Sequence, residues 1–208
     1  MAGANGADPT AGERILAAAT RAYGERGSAV TLDEVAAAAG VPRATLDRHF
    51  PTEAALREAI NERLIAISAR ILGDEPASDE EEFDLLARRV TDLVREHVDE
   101  VRFVARAAAD GDPDGLAMFD AFMAFALASF QGMKDGGVLE PDLDVEWAAL
   151  HVVVFNLASV LYRKAIENHL PEPLSDPVGL ERWHTADTEL FRRGFLRRGL
   201  EQPRGARR

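Results

Sequence analysis

The 208-residue sequence has no cysteine, which excludes disulfides and thiolate metal sites and fits a reducing compartment. Its first ten residues have neither a basic stretch nor an apolar run, so they do not form a secretion signal. A membrane helix needs about 18 uncharged apolar residues. The longest candidate, residues 117–130, is too short and carries Asp120. Excess positive charge is also missing. At a net −12 the chain is no general nucleic-acid coat. Phosphate contacts are local, however, so a small DNA-reading module on an acidic body stays open. What the chain does have is a 47% apolar composition, enough to build a core. These features predict a soluble, cytoplasmic protein.

Nothing in the sequence reads as a strand. Apolar residues recur every three or four positions between Gly-, Pro- and Asp-rich breaks, which predicts an all-α fold of about nine helices. The first, over residues 11–26, carries Ile15, Leu16, Ala19, Ala22 and Tyr23 as one stripe and stops at Gly27. The second follows Thr31, which forms a capping box with Glu34, and ends at Gly40. Pro42 suits the first helical position of the third, which reaches Phe50. Thr52 caps the fourth, whose seam of Leu56, Ile60, Leu64, Ile67 and Ile71 runs to Leu72. After a linker at 73–79, five more helices are expected at residues 80–97, 99–110, 113–134, 143–169 and 177–198. The implied organisation is a disordered N-terminal arm (1–10), a three-helix DNA-binding domain (11–52), a connecting helix (53–72), a ligand-binding and dimerisation domain (79–199) and a flexible tail (200–208).

Residues 32–46 carry the sharpest signal. Ala36 offers the small side chain needed where two helices approach closely, and Gly40 allows positive φ in a tight turn. Val41 is a buried turn residue, and Leu46 packs the next helix back on the last. This register fits a helix-turn-helix and, by itself, an ordinary αα-hairpin equally well. The flanks add Ile15-Leu16-Ala17-Ala18-Ala19, Arg26-Gly27, Thr31-Leu32-Asp33-Glu34-Val35-Ala36, Ala39-Gly40-Val41 and Thr45-Leu46-Asp47-Arg48-His49-Phe50-Pro51-Thr52. Together they resemble the TetR family of bacterial transcriptional regulators over residues 11–60. Glu181-Arg182-Trp183 and Leu190-Phe191-Arg192-Arg193-Gly194 are similar to the family's last helix.

The resemblance implies that the third helix enters the DNA major groove. Arg43, Ala44, Thr45 and Arg48 would then face bases or phosphates, with Arg suited to guanine and the Ala methyl to thymine. Thr31 and Thr52 would present hydroxyls and helix N-termini to phosphates. His49 reads either as a phosphate donor or as a ring packed on the first helix. Two positions depart from the family. Asp47 stands where a Tyr is usual, and Glu53 where a Lys is frequent. The segment 11–63 has seven Arg, no Lys and a net charge of −1. Asp47 could accept from a cytosine amine, or DNA binding could be weakened or lost.

The segment 113–134 is rich in Phe and Met. Its stripe of Phe119, Phe122, Met123, Phe130 and Met133 reads either as core or as the wall of an adaptable apolar pocket, with Phe125 off that side. Phe83, Leu86, Val90, Phe103 and Ala107 could close such a pocket, and Trp147, His151 and Phe155 could reach it from the eighth helix. Asn156, His97, Arg106 and Gln131 are further polar candidates. The histidines show no metal-ligand spacing, so neither a metal nor a cofactor is expected. Residues 143–169 and 177–198 are expected to pair with their copies in a homodimer, as the resemblance implies. The expected partners are therefore double-stranded operator DNA, a second copy of the chain and a small, largely apolar effector, with no membrane. An enzyme is disfavoured by the absence of a Gly-rich phosphate loop, His-Glu-x-x-His and Gly-x-Ser-x-Gly.

Overall fold

The computed structural model describes residues 9–73 and 77–196. The expected arm, except Pro9 and Thr10, the expected tail and residues 74–76 of the linker lie outside the described residues. The described chain contains ten α-helices and a short 3-10 turn, with no strand. α1 (Ala11–Arg26) starts at Thr10, whose hydroxyl accepts from the Glu13 N–H while the Glu13 carboxylate accepts from the Thr10 N–H. Thr10 thus belongs to the helix start and not to the arm.

α2 (Leu32–Ala38) opens on the same reciprocal pair, Thr31 and Glu34. It closes in a Schellman motif. Val41 N–H reaches the Ala36 carbonyl, Gly40 N–H reaches Ala37, and Gly40 takes φ 65°. α3 (Arg43–His49) follows directly, with Pro42 as its N-cap at ψ 145° and not as its first helical residue. Thr52 caps α4 (Glu53–Leu72) through the Ala55 N–H.

The remaining helices are α5 (Glu80–Glu96), α6 (Val98–Ala109), α7 (Pro113–Asp135), α8 (Val145–Leu161), α9 (Arg163–Glu167) and α10 (Pro177–Phe195). Asp79, Asp112, Asp144 and Asp176 cap α5, α7, α8 and α10 with carboxylates that accept first-turn amides. The helix expected over 143–169 is two helices. Asp144 delays its start, and the backbone leaves α geometry at Tyr162 (φ −95°, ψ 14°). The apolar seam ends there, since Val160 is the last deeply buried residue and Arg163 and Lys164 follow. The last helix stops at Phe195 because Leu196 extends to bridge Leu139.

The apolar core forms three clusters. The first joins α1 through α4 around Ile15, Val35, Leu46 and Ile60, and it continues into Phe103 and Val104 of α6 and Met118 of α7. The second gathers Phe83, Phe130, Met133, Ala149 and Phe191 from α5, α7, α8 and α10. The third links Ile67 and Leu72 of α4 to Leu93, Val101 and Val160. α6 lies at the centre of the fold, packed against α1, α7 and α8. Glycines set its spacing. A Cβ on Gly24 would lie 3.1 Å from the Phe103 nitrogen, and one on Gly115 would lie 2.5 Å from the Ala107 carbonyl carbon. By length and mean hydropathy α7 passes the test for a membrane span, although it packs against α6 and α8 and buries Phe130 and Met133.

Candidate nucleic-acid interface and ligand cavity

α3 has one buried side and one exposed side. Leu46 is fully buried against the head core, whereas Arg43, Ala44, Asp47, Arg48 and His49 are exposed and Thr45 is half-buried. Phe50 is half-buried in the same core and ties the end of α3 to it. The helix is thus fixed by one side and free on the other, as a short rod that reads a groove must be.

The charges on the free side are largely internal. Arg43 Nε donates to Asp47 at 2.8 Å and its Nη1 donates to Asp33 at 2.9 Å, so two carboxylates share one guanidinium. These contacts push the Arg43 pKa up, the Asp47 hydrogen bond most. Arg48 instead donates to the Thr45 hydroxyl at 3.3 Å. The Thr31 hydroxyl is occupied by Glu34, whose carboxyl is held down at about 2, first by Arg26 and then by Thr31. The Thr52 hydroxyl accepts from Ala55 at 3.1 Å and is exposed. The His49 ring lies beside α1, with Nδ1 3.4 Å from where a Gly12 Cβ would stand. Glu53 approaches Tyr23, whose hydroxyl is pushed up to about 12, chiefly by burial.

The second feature is a cavity of about 130 Å³ bounded by α5, α7, α8 and α10, with Val101 of α6 at one side. Phe83, Leu86, Val90, Phe122 and Phe130 line it, as does Phe125. The other anticipated pocket residues lie elsewhere. Phe103 faces α1, edge-on to Tyr23 at 6.3 Å with the Arg57 guanidinium over both rings, and Ala107 lies under Gly115. Both border a separate cleft of about 120 Å³ between α1, α4 and α6. Phe119 and Met123 are half-buried and do not line the larger cavity. Trp147 and His151 point outward, Trp147 at 58% exposure, while Phe155 is exposed along one side, lies edge-on to Phe191 at 5.8 Å and does not line the cavity.

Sequence reasoning missed what α10 contributes. Asp187, Thr188 and Phe191 all line the cavity. A carboxylate four residues before a core Phe on an amphipathic helix was the available signal. Asp187 is raised to about 7 by burial alone, and its Oδ1 has no hydrogen-bond partner. Asn156 also lines the cavity with an unpartnered Oδ1. Among the described residues no group of three or more His, Asp or Glu could hold a metal ion.

The sequence profile of the bacterial regulatory proteins of the tetR family matches residues 15–60, which span α1 to the first half of α4. No curated protein matches the chain in sequence. Among solved structures, CprB, a TetR family protein from S. coelicolor A3(2), is 23% identical at TM-score 0.68, covering 92% of this chain and 91% of its own. The ketosteroid transcriptional regulator KstR2 of Mycobacterium tuberculosis is 18% identical at TM-score 0.67, with coverages of 92% and 98%. A gamma-butyrolactone receptor is 20% identical at TM-score 0.64, with coverages of 88% and 97%. These likenesses extend the shared fold from the head to the whole body.

Proposed function

We propose that this chain, a TetR-family regulator by its residues 15–60, represses transcription from an operator and is released by a small, largely apolar effector. It is a regulator and not an enzyme. The observation that carries the reading is the two-sided α3: Leu46 is locked in the core while Arg43, Ala44 and Arg48 are exposed on the opposite side. Arg48, Ala44 and Thr45 meet base edges, and Thr52 and the start of α4 meet phosphate. The cavity receives the effector. The ketosteroid regulator and the gamma-butyrolactone receptor that share the fold support an apolar ligand class.

α6 supports a route between the two sites. Its Val101 borders the cavity, while ion pairs tie the α6 region to the head. Arg21 of α1 meets Asp99, Arg63 of α4 meets Glu100, and Arg57 of α4 meets Asp112 just past the helix end. An effector that moves α6 therefore pulls on α1 and α4 and resets the separation of two reading helices in a dimer. The apolar residues that α8 and α10 leave exposed, Trp147, Val154 and Leu190, support pairing through these helices. The protein acts in the cytoplasm, where operator and effector meet.

Gel-shift titration on the gene's own upstream DNA tests the reading. Retardation that depends on salt and disappears in Arg48→Ala is expected, and binding that ignores both overturns it. One observation favours a second reading, a ligand-binding dimer with weakened DNA binding. Arg43 is already held by Asp33 and Asp47, so it brings little free charge to phosphate.

A further inference from the structure

The cavity between α5, α7, α8 and α10 is walled by aromatic and aliphatic side chains, and its few hydroxyls are already engaged. Thr91 donates to the Ala87 carbonyl and meets His184 Nδ1 at 2.6 Å. Ser129 accepts from the Ala77 N–H and donates to the Phe125 carbonyl. Two oxygens are left over. The Asn156 amide nitrogen donates to the Val152 carbonyl at 2.8 Å, which fixes the amide so that Oδ1 is the free end. That atom and Asp187 Oδ1 are both shielded from solvent and unpartnered. No Lys, Arg or His lines the cavity among the described residues. Buried acceptors rarely remain unpaired in native proteins, and an unpaired one points to an absent donor.

We infer that the cavity takes an apolar molecule carrying a protonated primary or secondary amine, which donates to Asp187 Oδ1 and Asn156 Oδ1 while its body lies among Phe83, Phe122, Phe125 and Phe130. Once Asp187 is ionised, two acceptors require two donors. An ammonium group supplies two or three, whereas an alcohol supplies one and leaves the carboxylate without a countercharge. The Phe rings favour the same choice, since a cation is attracted to an aromatic face. The volume of about 130 Å³ suits a body of one ring. This inference rests on reading the cavity as the effector site.

The test uses the full chain and three probes of one shape: 2-phenylethylamine, 2-phenylethanol and phenylacetate. Calorimetry is expected to show the amine binding at least about tenfold more tightly than the alcohol, with phenylacetate undetected. Asp187→Asn is expected to abolish the amine's advantage and leave the alcohol unchanged. Asn156→Leu, which keeps an apolar wall should Asp187→Asn unfold the chain, is expected to weaken the amine several-fold. Alcohol binding as tight as amine binding, an amine advantage that survives both substitutions, or no amine binding overturns the inference. A parallel gel shift separates the two readings. Amine binding with unchanged retardation refutes the cavity's role in release and leaves the amine site standing. Release by the neutral alcohol without an amine preference does the reverse.

Discussion

Asp187 gives the fold a pH dependence of definite sign. Its carboxyl sits at about 7 because burial disfavours the charged form, against 3.8 for an ordinary Asp. Between those values the folded chain holds a proton that the unfolded chain has released, so stability falls as pH rises through this window and levels off above about 7. At about 1.4 kcal/mol per unit the ceiling is about 4 kcal/mol. The residue is only half-buried, and solvent screening reduces this to roughly 2 kcal/mol. Asp187→Asn keeps the shape and removes the titration. Its unpaired amide adds an offset that does not vary with pH. Urea melts of both proteins at about pH 4.5 and about pH 8.5, at one fixed protein concentration, isolate the effect in the difference between variant and wild type. Other carboxylates cancel in that difference. The variant is expected to gain roughly 2 kcal/mol on the wild type from acid to base, or about 4–8 °C in Tm for a chain of this size. An equal difference at both pH values would refute the claim that Asp187 is buried uncompensated.

Asp47→Asn removes the closer of the two carboxylates on Arg43. It is expected to tighten binding to upstream DNA and to steepen the slope of log affinity against log salt by about one. Fluorescence anisotropy across a salt series measures both, and adding Arg43→Ala is expected to erase the gain. Gly115→Val places a side chain 2.5 Å from the Ala107 backbone, where nothing flexible can yield, and is expected to destabilise by about 1–3 kcal/mol in a urea melt. Gly194→Ala, with nothing within 4 Å of its Cβ, is the control and is expected to be neutral or slightly stabilising. Leu190→Glu, at a position 59% exposed in the single chain, is expected to yield a folded monomer by light scattering, and a persistent dimer would place the interface elsewhere.

The local parts of this fold were readable from sequence wherever one short-range rule sufficed. Thr31, Gly40 and Thr52 mark helix ends because capping and positive φ are properties of a few neighbouring residues. Thr10 and Glu13 carried the same signal, although Thr10 reads as arm because the sequence before it has no pattern. The cavity was less legible because its lining is set by how helices pack. Phe103 and Phe122 are alike in sequence terms, yet the first meets Tyr23 of α1 and the second borders the cavity. On α8 Val153 faces inward, whereas Trp147 and Phe155, expected to reach the pocket, are exposed. An apolar helix presents several usable faces, and periodicity alone does not choose between them.

On the proposed function, α6 is the element that would carry a change in the cavity toward α3. One side of α6 carries Val101 toward the cavity, and the other buries Phe103 and Val104 in the same cluster as Leu46. α6 therefore spans from the cavity to the head core as one unbroken helix. Gly24 and Gly115 remove the side chains that would otherwise cushion α6 against α1 and α7. Close-packed contacts of this kind transmit displacement because they cannot be compressed. Of the three ion pairs from the α6 region to the head, Arg21–Asp99 and Arg63–Glu100 each have an exposed arginine and are individually weak, whereas Arg57–Asp112 is mostly buried and costly to break. On the proposed function, tight packing along the helix with two exchangeable ion pairs toward the head suits a shift between two discrete positions. Moving the equilibrium tenfold would take about 1.4 kcal/mol of preference for one position, which pairing two buried oxygens could supply.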